Sequence, residues 1–506
     1  MTSQILDAIQ HHADERPDAF ALQGADSSLT YSDLALETQR MQNRFGASDT
    51  RVIGLAVENS PAWAIADLAA MAAEKTLVPL PAFFSAEQII HAIHDAGINK
   101  LVSDQPIVME NLLQSHGVGI SARQSYQVAG RLLTQFSLAN IPARELPNGT
   151  IKVTYTSGTT GNPKGVCLGL QALEQVATSL LNTTEATHQD KHLSILPLST
   201  LLENIAGLYV PLMAGARSLL FSSDRVGLSG ATGIDPQKML SMIQSTLATT
   251  LVLTPELLKA LAMMAESGFV IPRSLRFIAV GGAAVSHALL ERAAKVGLAV
   301  FEGYGLSECC SVVSVNTAKH RLAGSVGKPL PHVKVTFAAD GEILVAGSTM
   351  LGYTGNAANA DNEQFWPTGD VGYLDDAGYL HIDGRKKNMF ITSFGRNVSP
   401  DWVESQLTQS PQIAQAALFG EAKPWNTALI VAMPNSSDAQ IDHVVNTVNA
   451  GLPDYARVHR WIRISEPFST KNHQLTPNFR LRRDVIWQVY ANQVNELYEE
   501  VKYECV

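Results

Sequence analysis

The stretch YTSGTTGNPKGV, Tyr155 to Val166, places three glycines, four serine or threonine hydroxyls and one lysine between two apolar segments. Glycine lets backbone N–H groups approach an anion closely, hydroxyls add donors and lysine adds a mobile positive charge, so this composition suits a polyphosphate. A Walker loop is excluded by spacing: Pro163 stands five residues after Gly158, and Lys164 is followed by Gly165 instead of a hydroxyl residue. The flanking runs IKVTY (151–155) and VCLGL (166–170) read as strands, so the loop joins strands where a Walker loop would open a helix. A plain surface hairpin would explain the glycines, but not clustered hydroxyls with a lysine.

Holding such a loop takes a large framework. The 506 residues are 46% hydrophobic and 17% charged, as in a globular chain of more than one domain. With 37 basic and 47 acidic residues the formal charge is -10, which gives no support to a nucleic-acid partner. Cys167, Cys309, Cys310 and Cys505 lack metal-ligand spacing and are too few to staple the chain, which points to a reducing compartment. The N-terminus does not read as a signal peptide. The apolar run AWAIADLAAMAA (62–73) contains Asp67 and falls short of the ~20 residues that span a bilayer. The expectation is a cytoplasmic protein without a transmembrane segment, peripheral membrane contact being left open.

From about 150 to 310, β-rich runs alternate with helical ones: LSILPL with ENIAGLYVPLMAGA, TLVLTP with ELLKALAMMAES, and LRFIAVGG with HALLERAAKVG. This predicts an α/β fold with parallel-rich sheets covered by helices. Residues 50–104 repeat the pattern without repeating the sequence. Gly281-Gly282 and the GYG of 303–305 follow strands, where open α/β sheets bind ligands. From 324 to 384 the texture becomes short strands with turns at 339–341 and 375–378, a small β subdomain. After Gly384 come RKKN and an α+β tail, whose last helix carries Ile486, Tyr490, Val494, Leu497 and Val501 at helical spacing. The predicted organisation is an N-terminal domain over 1–384 and a small mobile C-terminal domain over 385–506, with a hinge near 385–387.

Four further stretches accompany the loop: GGAAVS (281–286), GYGLSE (303–308), PTGDVGYLDDAGYLHIDGRKKNMFITSFGRNVSP (367–400) and LTPNFRLRR (475–483). Together and in this order, they resemble the adenylate-forming superfamily of acyl-CoA synthetases, peptide-synthetase adenylation domains and firefly luciferase. GRKKNMFITSFGRNVSP and LPLSTLLEN (196–204) are most similar to its long-chain fatty acyl branch.

The resemblance implies that a carboxylic acid is converted with ATP and Mg²⁺ to an acyl adenylate, and then to a thioester of coenzyme A. Thr156, Ser157, Gly158, Thr159, Thr160, Gly161 and Lys164 would cradle the β- and γ-phosphates. Glu308 would hold Mg²⁺, a hard carboxylate suiting a hard cation. Backbone around Gly282, Ala283 and Ala284 would line adenine and Tyr304 would stack on it, with Gly305 and Ser307 alongside; Ser307 replaces the usual threonine. Asp370 would accept the ribose hydroxyls, Arg385 would contact the nucleotide near the ribose, and Lys387 would lie at the hinge. Taken singly, Tyr304 would more readily be a packed aromatic, Glu308 and Arg385 surface residues, and Asp370 a turn residue.

The branch's bridging lysine is replaced here by Arg480, with Lys471 in STKNHQ as the alternative cation. The acyl pocket would border 203–216, and Glu203 carries no assigned role. No basic residue marks a second carboxylate, which favours an apolar monocarboxylic acid. The alternatives are an acyl-AMP ligase that loads an acyl carrier protein, and a degenerate binder of nucleotide or acyl chain without turnover.

Overall fold

The computed structural model describes residues 3–47, 50–156, 163–229, 233–357, 364–476 and 480–499. Two nine-stranded sheets form its larger part. In the first, strands Val300–Tyr304, Phe277–Val280, Thr250–Leu253, Lys191–Leu193, Arg217–Leu220 and Phe20–Gly24 run parallel side by side. In the second, Thr150–Thr156, Thr76–Pro79, Val52–Ala56 and Lys100–Ser103 are parallel, with antiparallel strands added at both edges. The expected α/β architecture is therefore present.

The apolar run near residue 62 becomes helix Pro61–Ala72, which is buried on every face and packs against strands of both sheets. A helix this apolar all round belongs inside a core. Its one charge, Asp67, accepts from Lys152 Nζ at 2.6 Å and from the Tyr209 hydroxyl at 2.6 Å, and Asn204 bonds to the same pair. Burying two ions is tolerable because each is hydrogen-bonded on several sides. No helix among the described residues is long and apolar enough to cross a membrane.

Three local readings change. LSILPL contributes only Leu193 to its strand, which begins at Lys191 in register with Arg217. VCLGL ends as a strand at Gly169, because Leu170 opens helix Leu170–Thr183. The segment 324–384 is also less self-contained than its texture predicts. Four strands between Lys334 and Arg385 do form their own antiparallel sheet, with Gly341 and Gly378 in left-handed turns where turns were expected. However, Lys328–Pro329 extends the first large sheet, while Gly352–Tyr353 and Asn356–Ala357 extend the second.

Beyond residue 389, a three-stranded sheet and helices Pro400–Leu407, Asp438–Gly451 and Arg483–Glu499 enclose two apolar clusters. Ile486 and Val494 of the last helix are buried, whereas Val501 lies outside the described residues. Lys259 Nζ, on helix Pro255–Glu266, donates to the Thr408 carbonyl at 2.9 Å and so joins this part to the first sheet's helical cover.

Candidate active site

Strand pairing builds the centre of the site. Asp370 and Arg385 are register partners on antiparallel strands Trp366–Leu374 and Leu380–Arg385, which brings Arg385 Nε to 2.9 Å from Asp370 Oδ1. The other carboxylate oxygen accepts the Tyr304 hydroxyl at 2.6 Å, from the carboxyl end of a strand of the first sheet. Burial raises the Asp370 carboxyl above its usual range against the opposing pull of Arg385, and it pushes the Tyr304 phenol up as well. Gly369, left-handed at φ +72°, turns its N–H to Glu342 Oε1 at 2.9 Å and its carbonyl to the Lys386 N–H at 2.8 Å. The segment on either side of Asp370 and Arg385 is thus held firmly to the third sheet.

Arg480 enters this cleft from the C-terminal part. Its Nη2 donates to the Gly282 carbonyl at 2.8 Å, beside the exposed residues Ala283 and Ala284. Gly282 is left-handed at φ +82°. The guanidinium lies below the ordinary arginine value, through desolvation and then through Arg385; Asp370, Asp401 and Glu308 pull the other way. Two guanidiniums, Arg385 and Arg480, beside a single buried carboxylate leave excess positive charge, which suits a phosphate. Lys471 is exposed on the preceding turn, whereas Arg480 bonds to Gly282.

Glu308 sits on the short turn Ser307–Cys309, with Gly305 and Ser307 before it, all half-buried. Its Oε1 accepts the Tyr353 hydroxyl at 3.0 Å, and Lys164 Nζ lies 5.4 Å from the centroid of the same ring. One aromatic residue therefore connects the proposed metal ligand to the loop lysine. Thr156 ends one strand and Lys164 opens the next, paired with each other; Ser157, Gly158, Thr159, Thr160 and Gly161 lie outside the described residues. Asp95 braces this region, accepting from Tyr155 at 2.8 Å and from Thr354 at 2.5 Å, while His91 Nε2 is 2.9 Å from the Pro163 carbonyl.

The sequence reading missed Tyr353, Thr354 and Asp95. No motif carried them, and Tyr353 reaches the site only because Gly352–Tyr353 pairs with Val166–Cys167. Glu203 faces the interior: its Oε1 is 3.0 Å from His192 Nε2, and a side chain at Gly207 would meet that oxygen at 2.4 Å. The run after it, read as a plain helix, contains a π-helical stretch, Asn204–Tyr209, two of whose residues join the Asp67–Lys152 pair.

Residues 9–354 match the family model described as AMP-binding enzyme, and residues 387–502 match its C-terminal domain. The chain belongs to the AMP-binding enzyme family. Within that family it is similar to the long-chain-fatty-acid–CoA ligase FadD15 of Mycobacterium bovis, at 25% identity covering 87% of this chain and 86% of the relative. It is also similar to the 2-succinylbenzoate–CoA ligase of Bacillus subtilis, at 27% identity covering 86% and 90%. Among solved structures, the anthranilate CoA ligase AuaEII with anthranoyl-AMP superposes with a TM-score of 0.78 at 19% identity, covering 96% of this chain and 97% of that one. The expected superfamily and fold are therefore present in this AMP-binding enzyme. The relatives act on differing acids, so their names do not establish a fatty substrate.

The residues present suit a magnesium ion. Among the described residues no cluster of three metal-ligating side chains occurs. Glu308, with one oxygen engaged by Tyr353, matches an ion held by one carboxylate and by substrate phosphates, the usual manner for Mg²⁺.

Proposed function

We propose that this AMP-binding enzyme, of the AMP-forming acid–thiol ligase class, activates an apolar monocarboxylic acid of the fatty type and passes the acyl group to coenzyme A. An acid oxygen attacks the α-phosphorus of ATP while the bond to the β-phosphate oxygen breaks, giving acyl-AMP and pyrophosphate. The thiol sulfur of coenzyme A then attacks the carbonyl carbon, AMP leaves with the C–O bonding pair, and the thiol proton is released.

In this reading Asp370 accepts the ribose hydroxyls and Tyr304 packs against adenine. Arg385 and Arg480 meet the adenylate phosphate, and Lys164 meets the leaving phosphates. A magnesium ion on Glu308 would supply neutralisation of phosphate charge. Catalysis is then positioning and electrostatic stabilisation. The carrying observation is that Arg480, from the C-terminal part, meets Gly282 in the cleft that holds Asp370, Arg385 and Tyr304. A hinge at Arg385–Lys387 would let that part withdraw Arg480 before the thiol arrives.

Product analysis with short- to long-chain acids, MgATP and either coenzyme A or holo acyl carrier protein tests the reading. The expected products are AMP, pyrophosphate and acyl-CoA, with apolar acids preferred. Acylation of carrier protein alone would reassign the acceptor, and no AMP from any acid would overturn the reading.

A further inference from the structure

The last helix, Arg483–Glu499, opens with an arginine, an unfavourable charge for a helix N-terminus. Two carboxylates at i and i+3 of helix Pro400–Leu407 compensate it. Arg483 Nη1 and Nη2 donate to Glu404 Oε1 and Oε2, each at 2.6 Å, and Nη2 also meets Asp401 Oδ1 at 2.7 Å. Glu404 is nearly buried and further accepts the Leu418 N–H at 2.5 Å. Asp401 is partly exposed, and its second oxygen takes a different partner: Asn388 Nδ2 at 3.2 Å, one residue beyond Lys387.

On the other side of Arg483, the segment carrying Arg480 is pinned at its base. Leu475 pairs antiparallel with Leu481, the Thr476 N–H donates to the Arg480 carbonyl at 2.8 Å, and the Arg480 N–H donates to Thr476 Oγ1 at 3.1 Å. Asp401 therefore stands between the stretch next to the proposed hinge and the base of the Arg480 segment. It also faces both Lys387 and Arg480 electrostatically, along with Arg385 and Asp484 around them.

We propose that Asp401 is a positioning residue that locks Asn388, just after the hinge, to Arg483 at the base of the Arg480 segment, so that rotation at the hinge carries Arg480 as one rigid body into the cleft. This rests on the reading of Arg480 as the adenylation cation. Glu404 already accepts from both Arg483 amino groups; the bond that Asp401 adds to Asn388 is what couples the hinge stretch to the Arg480 segment.

A double-mutant cycle tests it, with acyl-AMP formation and thioester formation from supplied acyl-AMP measured separately. Asp401→Ala is expected to lower kcat for acyl-AMP formation about tenfold with little change in KM for ATP, the signature of a contact needed only in the transition state. Thioester formation from supplied acyl-AMP should fall far less. In an Arg480→Ala background the further loss from Asp401→Ala should vanish, because coupled residues are non-additive. Asn388→Ala, which cuts only the hinge-side bond, should reproduce the adenylation loss and keeps the test available if Asp401→Ala fails to fold. Equal losses in both backgrounds, or in both half-reactions, overturn the latch while leaving the role of Arg480 standing. Adenylation by Arg480→Ala at the wild-type rate instead overturns the role of Arg480.

Discussion

Replacing Arg480 by alanine removes a hydrogen bond by which the C-terminal part reaches Gly282, together with a positive charge facing Asp370, Arg385 and Glu308. Because its guanidinium meets that carbonyl at 2.8 Å, a phosphate in the same cleft lies within its reach. Losing one preorganised electrostatic donor of this kind costs about 2–4 kcal/mol in the barrier. That is roughly a 30- to 1000-fold fall in the rate of acyl-AMP formation. Arg480 keeps an exposed face and anchors no core cluster, so the cost to folding should stay within about 0.5 kcal/mol. ATP–pyrophosphate exchange reads the first step, thioester formation from supplied acyl-AMP reads the second, and a thermal melt controls for folding. Arg480→Ala should lose the first and largely keep the second. Arg480→Lys should match or exceed the unmodified chain in the first step, since a compact ammonium bridges several oxygens more readily than a planar fork. Exchange at full rate in Arg480→Ala, with loss in Lys471→Ala, would refute the reasoning and make Lys471 the bridging cation.

Lys164→Ala and Glu308→Ala should each depress pyrophosphate exchange by a barrier of about 2–4 kcal/mol while leaving the melting temperature nearly unchanged, because they meet charge that arrives with MgATP. Unaltered exchange in either variant would remove that residue from the site. Lys387→Pro fixes φ at the proposed hinge and should accumulate acyl-AMP without thioester; equal loss of both half-reactions would place the hinge elsewhere. His332 is half-buried with Nδ1 2.8 Å from Ser179 Oγ, and desolvation lowers its pKa from 6.5 to about 4. The unfolded chain therefore binds the extra proton in this window. The stability His332 contributes is full above 6.5 and is lost as pH falls through the window toward 4. Urea midpoints across that window should fall less steeply in His332→Gln, and an unchanged slope would exclude this histidine as a source of acid sensitivity.

The family and the α/β class are legible in the sequence, and so are the residues that make up the candidate site as a proposal. Those features are local: three glycines and four hydroxyls beside Lys164, an alternation of strand and helix periods, an apolar run too short for a membrane. Asp370 and Arg385 were legible as motif members, and an antiparallel pairing set by the turn at Gly378 brought them together. What only the tertiary structure decided depends on which strand lies beside which. Asp67 and Lys152 are 85 residues apart in sequence, and each alone reads as a polar break in an apolar run; burial between the two sheets makes them a pair. Tyr353 carries no motif and gains its place near Glu308 and Lys164 through an edge strand that leaves the small β-rich segment for a large sheet, and Asp95 reaches Thr354 beside it from helix Ala86–Ala96. Side-chain periodicity records which face of an element is buried and is silent on the partner that covers it, so long-range pairings of this kind leave little trace in a single sequence.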